Sequence, residues 1–424
     1  MTSERRAEWI SNGKAASKRS ELFELPQRAV DYLEIFARQK RRLIAFALYK
    51  FFPYGGLQRD FLRIAEACLA RGYRVRVYTL SWEGPLPEGF DLIRVPVDAV
   101  TNPSRYELFA KWVHADLAWR PAACLVGFNK MPGLDVYFAA DSCYEAKARQ
   151  LRTPLYRQTR RYRHFSRFEH AVFDPEVDTD VLLITAQQRE QFHEYYGTPD
   201  TRMHLLPPGV SPDRRRGADA AQLRCEFRRE FEIADDETLL LLIGSGFVTK
   251  GLDRALAAVA ALPDRLRASV RLFVIGQDNP RSFQNLAAGL GVADRLRIFE
   301  GRDDIPRFLQ GADLMLHPAY MESGGIVLIE AIIAGLPVIA TDVCGYAPLV
   351  EQADAGVLVE SPFSQENLNS ILARAIEDRT TRARWSANGV RFGQTADLYG
   401  QTDQAVAVIE RRMGAGTAAV CDAH

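Results

Sequence analysis

The chain has 424 residues, with 54 basic and 54 acidic side chains and a formal net charge of zero. That length favours two or three domains, each with a core of its own. The balanced charge excludes a global field drawing nucleic acid, so any basic site has to be local. Six cysteines (Cys68, Cys124, Cys143, Cys225, Cys344, Cys421) are scattered without a CxxC pair, which argues against a disulfide framework or a cysteine zinc site.

Residues 1–42 are mixed in charge and carry no strand signal. Their stretch "LPQRAVDYLEIFARQKRR" reads as one amphipathic helix, with Val30, Leu33 and Phe36 at helical spacing. We expect an N-terminal extension here, without the apolar segment of a signal peptide. No run reaches the roughly 18–20 apolar residues of a spanning helix. A cytosolic protein is expected, free to lie against a membrane surface.

From residue 43 the pattern changes. "LIAFALY" (43–49) is a short apolar run followed by a Gly-containing loop. "LQRDFLRIAEACLARG" then places Leu57, Phe61, Ile64, Ala65, Cys68 and Leu69 on one helical face, with Gly72 as the stop, and "RVRVYTL" (74–80) follows. This is the strand–helix–strand unit of a parallel sheet. Further buried strands are expected at 123–128, 135–140 and 180–186. "HLLPPGV" (204–210) breaks the series. A second one follows, with strands expected at 238–246, 270–276, 295–301, 314–320 and 336–342. The class is α/β: two doubly wound Rossmann-like domains, 43–206 and 207–385, facing an interdomain cleft, with a hinge near 205–210. In such sheets ligands bind beyond the carboxyl ends of the strands.

Three strand ends carry chemistry. In "YKFFPYGGLQRD" (49–60), Gly55 and Gly56 precede a helix, whose N-terminus favours an anion; a plain turn explains them as well. The spacing is not GxGxxG, which counts against a dinucleotide oxidoreductase. In "GSGFVTKGLDRAL" (244–256), Lys250 can reach a phosphate as a point charge or be solvent decoration; GxxxxGK[ST] is not matched. In "HPAYMESGGIVLIEAIIAGLPV" (317–338), Glu322, Ser323, Gly324 and Gly325 lead into an apolar helix through Ile326 and Val327, with Glu330 inside it. A carboxylate in so apolar a run needs partners. Glu330 is placed to accept the two vicinal hydroxyls of a ribose, and Glu322 those of a second sugar. Three anion-friendly strand ends over two domains suggest a diphosphate, and the acids suggest a nucleotide sugar.

Other signals are weaker. "DTD" (Asp178, Asp180) precedes a strand and reads as surface acid. His164, His170, His193 and His317 show no metal-ligand spacing. Segment 144–173 holds eight Lys/Arg (Lys147, Arg149, Arg152, Arg157, Arg160, Arg161, Arg163, Arg167) against two acids, interleaved with aromatics. An anionic membrane surface or glycolipid is the preferred partner over nucleic acid, which no other motif supports.

The two glutamates eight residues apart, followed by "EAIIAGLPVIA", resemble the retaining glycosyltransferases of GT-B fold with an EX7E motif. Together with "ALYKFFPYGGLQRDFLRIA", "GFNKMPGLDVYFAAD", "YRHFSRFEHAVF", "LLPPGV" and "TDVCGYA", they resemble the lipopolysaccharide core glucosyltransferase I family over about residues 43–412. The resemblance implies transfer of glucose from UDP-glucose to an inner-core heptose in α-1,3 linkage, with retention and without metal or other cofactor. It implies a cytoplasmic enzyme, peripheral on the inner membrane, that uses segment 144–173 to meet the membrane. By the same resemblance, Gly55, Gly56 and Asp60 meet the donor, as do Arg214 and Arg302; Ser323 to Val327, at the Gly-Gly–helix junction, are expected to hold its phosphates. Asp141 faces the acceptor and the reacting carbon, and a last helix over about 386–412 returns to the first domain, with 386–424 as the C-terminal region. The basic pair of the family falls here on Thr249 and Lys250. Thr249 departs from the usual Arg, and Arg254 is a candidate to compensate. Two rivals remain open: a related transferase with another donor or glycolipid acceptor, and an inactive membrane-associated scaffold. A UDP-release assay separates them.

Overall fold

The computed structural model of the chain describes residues 43–53 and 55–421, so the helix read in the N-terminal extension lies outside the described residues. The first sheet contains β1 (Leu43–Ala47), β3 (Arg74–Thr79), β5 (Phe90–Arg94), β6 (Cys124–Gly127), β7 (Val136–Ala139), β8 (Asp180–Leu183) and β9 (Met203–Leu205), in the order β5-β3-β1-β6-β7-β8-β9. A small pair, β2 (Lys50–Phe51) with β4 (Ser81–Trp82), sits beside it. The second sheet runs β12 (Leu296–Phe299), β11 (Val270–Ile275), β10 (Thr238–Ile243), β13 (Leu314–His317), β14 (Val338–Thr341) and β15 (Gly356–Val359). Every pairing is parallel.

Parallel strands covered on both faces read as unbroken apolar runs. In β10, Leu239, Leu241 and Ile243 enter one core, while Leu240 and Leu242 enter the other. The first sheet is sandwiched in the same way. Three short edge strands have no counterpart among the expected runs. β5 is half exposed, β15 only partly buried, and β9 spans three residues inside the stretch read as the break.

In each sheet the strand order reverses once, between β1 and β6 and between β10 and β13. Such a switch point opens a crevice at the carboxyl ends of the two strands. The loops after β2, β7, β10 and β13 carry Gly55, Asp141, Lys250 and Glu322.

The chain crosses between the halves twice. The crossings at 206–210 and 396–400 lie side by side, joined by the Val210 amide donating to the Leu398 carbonyl at 3.1 Å. The returning helix expected over 386–412 is two helices. Arg379–Thr395 stays with the second half, where Gly389 packs against Ile332. Only Gln401–Cys421 crosses, and its Ala405, Val406, Val408 and Ile409 complete the core around Ile44, Phe46 and Phe61. Arg412 clamps it with a bidentate pair to Asp178, at 2.8 and 2.6 Å. Asp180 pairs with His204 at 2.7 Å, so both acids of "DTD" have structural partners.

Candidate active site between the two sheets

Glu330 lies in helix Ile326–Ile333, where six of eight side chains are buried. Its side chain is 4% exposed and finds two guanidiniums, Arg59 at 3.3 Å and Arg214 at 3.5 Å. Arg214 follows the first crossing. Arg59 comes from the opposite half, on helix Gly56–Ala70, directly after the Gly-Gly turn. A buried carboxylate without such partners would be strongly unfavourable. Arg59 Nε and Arg214 Nε and Nη1 are nevertheless buried without a hydrogen bond. Arg214 Nε is the atom that meets Glu330 and Nη1 stands 3.6 Å from Asp213, so these guanidiniums are held by charge while hydrogen-bonding capacity is left unused.

Asp60 sits next in sequence. Burial pushes its carboxyl up to about 6, against the pull of Arg59 and Arg63. Arg63 is itself tied to the Gly209 carbonyl at 2.6 Å. Gly55 caps the helix in extended conformation and Gly56 opens on space, with no atom within 4 Å of where a Cβ would stand. Gln58 braces this turn by donating to the Lys50 carbonyl at 2.9 Å.

Glu322 forms the second centre. Its carboxylate pairs with Lys250 and stands 3.6 Å from His317 Nε2. Burial opposes its ionisation, but the His317 ring and the Lys250 ammonium win and hold it at about 2. His317 is fully buried with neither ring nitrogen hydrogen-bonded. The loop around Glu322 is backed by "TDVCGYA": Gly345 N donates to the Glu322 carbonyl at 3.1 Å, and Tyr346 N to the Gly324 carbonyl at 2.8 Å. A Cβ on Gly345 would stand 2.1 Å from the Ser323 carbonyl, so only glycine permits this approach. Gly325, at φ 83°, turns the chain into helix Ile326–Ile333. Ser323, Ile326 and Val327 are half-buried around that turn, with Gly324 and Gly325 buried.

Asp141 is exposed after β7. Its neighbour Ser142 meets Met321 at 3.9 Å, so the Asp141 loop abuts the Glu322 loop across the cleft. Gln188 donates to the Asp141 carbonyl at 3.2 Å and fixes the turn.

Some expected residues point elsewhere. The Arg302 guanidinium is spent on Asp304, at 2.6 and 2.8 Å, and on the Phe308 ring; it does not join the cluster around Glu330. Thr249 is exposed and offers its carbonyl to Tyr320 N at 2.8 Å. Arg254 is no substitute for the missing cation. It lies between the Tyr320 and Phe363 rings, at 3.5 and 3.6 Å, and donates to the Pro318 and Ala319 carbonyls. The cation that sequence reasoning passed over is Arg59, and its place beside the Gly-Gly turn was the available signal.

The basic segment splits. Arg149 pairs with Glu145 at 2.7 Å and Arg167 with Glu107 at 3.0 Å. Lys147, Arg152 and Arg161 line a pocket with Asp141. Arg157, Arg160 and Arg163 are exposed, with no acid within ion-pair range among the described residues, and Leu155 beside them is 71% exposed. Thr159 caps helix Arg160–Phe173, which buries Phe168, Val172 and Phe173 and leaves Arg160 and Arg163 outward. No helix among the described residues is long and apolar enough to cross a membrane. Nor are three His, Cys, Asp or Glu side chains grouped there to hold a metal ion.

Two doubly wound domains meeting over paired acids and cations define a GT-B glycosyltransferase. Residues 224–392 match the family model for glycosyl transferases group 1. The chain is 47% identical over 367 residues to the lipopolysaccharide glucosyltransferase WaaG of Escherichia coli (strain K12), spanning 87% of this chain and 98% of that protein. The crystal structure of WaaG, described as a glycosyltransferase involved in lipopolysaccharide biosynthesis, aligns with TM-score 0.84 at 48% identity, over 86% of this chain and 99% of the other. A sucrose-phosphate synthase from Thermosynechococcus elongatus aligns with TM-score 0.68 at 18% identity, over 90% of this chain and 100% of the other, a likeness of fold alone. The chain belongs to the lipopolysaccharide core glucosyltransferase family of the group 1 glycosyl transferases.

Proposed function

We propose that the protein transfers glucose from UDP-glucose to a heptose of the lipopolysaccharide inner core, forming an α-1,3 bond with retention at the anomeric carbon. The observation that carries most weight is the pairing of both motif acids with cations at the cleft: Glu330 with Arg59 and Arg214, Glu322 with Lys250. The name of the E. coli relative supports the glucosyl donor and the lipopolysaccharide acceptor.

In this reading Glu330 accepts the ribose hydroxyls. The diphosphate lies against the turn from Ser323 to Val327, where the helix N-terminus presents its N–H groups. Gly55 and Gly56 leave room for it from the other side. Lys250, Arg59 and Arg214 meet the charge that grows on the β-phosphate as the bond to the anomeric carbon breaks. Fixed cations and N–H donors of this kind stabilise the transition state without reorganising. They take the part that a metal plays in other transferases. Lys250 then exchanges its pair with Glu322 for the phosphate, and Glu322 turns to the glucose hydroxyls.

The acceptor oxygen attacks from the face that UDP leaves and bonds to the anomeric carbon. Its proton passes to the departing phosphate, and UDP is released. Asp141, across from Glu322, orients the acceptor hydroxyl. Arg157, Arg160, Arg163 and Leu155 hold the enzyme on the anionic cytoplasmic face of the inner membrane, where a Gram-negative cell presents this acceptor. UDP release with a panel of nucleotide sugars, with and without heptosylated acceptor, tests the reading. Acceptor-dependent release from UDP-glucose alone is expected, and release from a different donor would overturn the assignment.

A further inference from the structure

A pocket of about 410 Å³ opens in the first half beside Asp141. Three of its cations, Lys147, Arg152 and Arg161, have no acid within ion-pair range among the described residues; the fourth, Lys130, is matched by buried Glu169. Three free cations thus face one carboxylate, Asp141. We propose that this pocket is a subsite for an oxyanion-bearing sugar of the acceptor, a carboxylate or phosphate on a ring next to the one that receives glucose. The proposal rests on the glycosyl-transfer reading above and adds a charge requirement to it.

Arg152 lies over the Tyr156 ring at 5.5 Å and Arg161 over Phe165 at 5.2 Å. Ring faces hold the guanidinium planes and leave their N–H edges free for the planar or tetrahedral oxygens of an anion. Tyr49 and Tyr106 stack at 3.9 Å, and the Tyr144 and Tyr156 hydroxyls meet at 2.8 Å. Such walls offer flat apolar faces with polar edges, which suits a sugar ring better than an acyl chain.

The floor is built in advance. Glu169, fully buried, accepts from the Tyr144 and Glu145 amides at 2.8 and 2.9 Å and pairs with Lys130. Lys130 in turn donates to the Ser142 carbonyl at 3.0 Å. The floor itself therefore needs no ordering on binding. The side formed by Asp141 and Ser142 abuts Met321, so a ring seated here lies next to the Glu322 centre. The outward arginines Arg157, Arg160 and Arg163 are separate from the pocket lining, which sets this subsite apart from a membrane-facing patch.

The test is calorimetric titration of the full-length protein with lipid-free inner-core oligosaccharide in three forms: native, phosphatase-treated and carboxyl-reduced. Removing the recognised anion is expected to weaken binding about tenfold, and the form that matters identifies it as phosphate or carboxylate. Arg152→Gln and Lys147→Gln should weaken the native form about tenfold and leave the neutralised form little changed. Arg152→Lys should recover part of the loss. Melting curves check that each variant is folded. Equal binding of all three forms would overturn the proposal. So would an Arg152→Gln loss shared by charged and neutral forms, which marks a structural role. Loss of phosphatidylglycerol vesicle binding with oligosaccharide affinity intact would overturn it too, making the pocket a lipid headgroup site. Glucosyl transfer is scored separately: its absence, with charge-dependent binding intact, would overturn the donor and acceptor assignment and leave the pocket standing.

Discussion

The guanidinium of Arg59 meets the carboxylate of Glu330 at 3.3 Å, joining the two halves across 271 positions of sequence. Glu330 is nearly inaccessible, while Arg59 keeps a third of its side chain exposed. The pair therefore links donor binding to the approach of the halves. Glu330→Ala should weaken UDP itself, and Arg59→Gln should weaken it about tenfold, as expected for one charge-assisted contact. Glu322→Ala should lower turnover more than UDP affinity. Calorimetry with UDP checks all three, and unchanged binding by Glu330→Ala would remove the ribose assignment.

The Glu322 carboxylate, held by the His317 ring and the Lys250 ammonium, has a signature in acid. The folded carboxyl titrates at about 2, below its ordinary 4.5. Its stabilisation is therefore complete above about pH 4.5 and drains away as pH falls toward 2, an effect of order 3 kcal/mol. Urea melts of the wild type and Glu322→Gln should differ by a constant amount above about pH 5, and the gap should narrow as pH falls and close only near about pH 2. A gap that does not narrow would contradict the pairing.

Asp60 works in the opposite direction. Its folded carboxyl titrates at about 6, above the ordinary 3.8, because burial outweighs Arg59 and Arg63. Native protein holds that proton more tightly than unfolded chain, so stability falls as pH rises through this window. Asp60→Asn removes the penalty. Its melting temperature should gain on the wild type between about pH 4 and pH 7, and a constant difference would contradict the buried setting.

Much of this arrangement was legible in sequence, for a physical reason. β1, β10 and β13 are covered on both faces and so read as apolar runs. β5, β9 and β15 sit at or beside sheet edges and are short or half exposed, so no run announces them. Glu330 stood out because a carboxylate is conspicuous among aliphatic residues. Arg59 did not, because one arginine among many gains meaning only from a contact formed over a long stretch of chain. Arg302 and Arg254 show the converse: cations near the site in sequence are held elsewhere by Asp304 and by two aromatic rings. Composition marked segment 144–173 as basic, but only packing divides its cations into paired, pocket-lining and outward sets.

That division yields a prediction for the membrane. Replacing Arg157, Arg160 and Arg163 with Gln should reduce sedimentation with anionic vesicles, roughly 1 kcal/mol per charge, and the loss should shrink as salt rises. Affinity for UDP should stay the same, because these side chains do not reach the cleft cluster. Vesicle binding that survives the triple replacement would contradict the membrane-facing role.

The most direct test is glucosyl transfer from UDP-glucose to heptosylated inner-core acceptor by the purified protein in the presence of EDTA, with the anomeric configuration of the product read by NMR. Retaining, metal-independent transfer predicts an α-linked glucosyl-heptose and stoichiometric UDP. A β-linked product, or transfer from a different nucleotide sugar in preference to UDP-glucose, would contradict it.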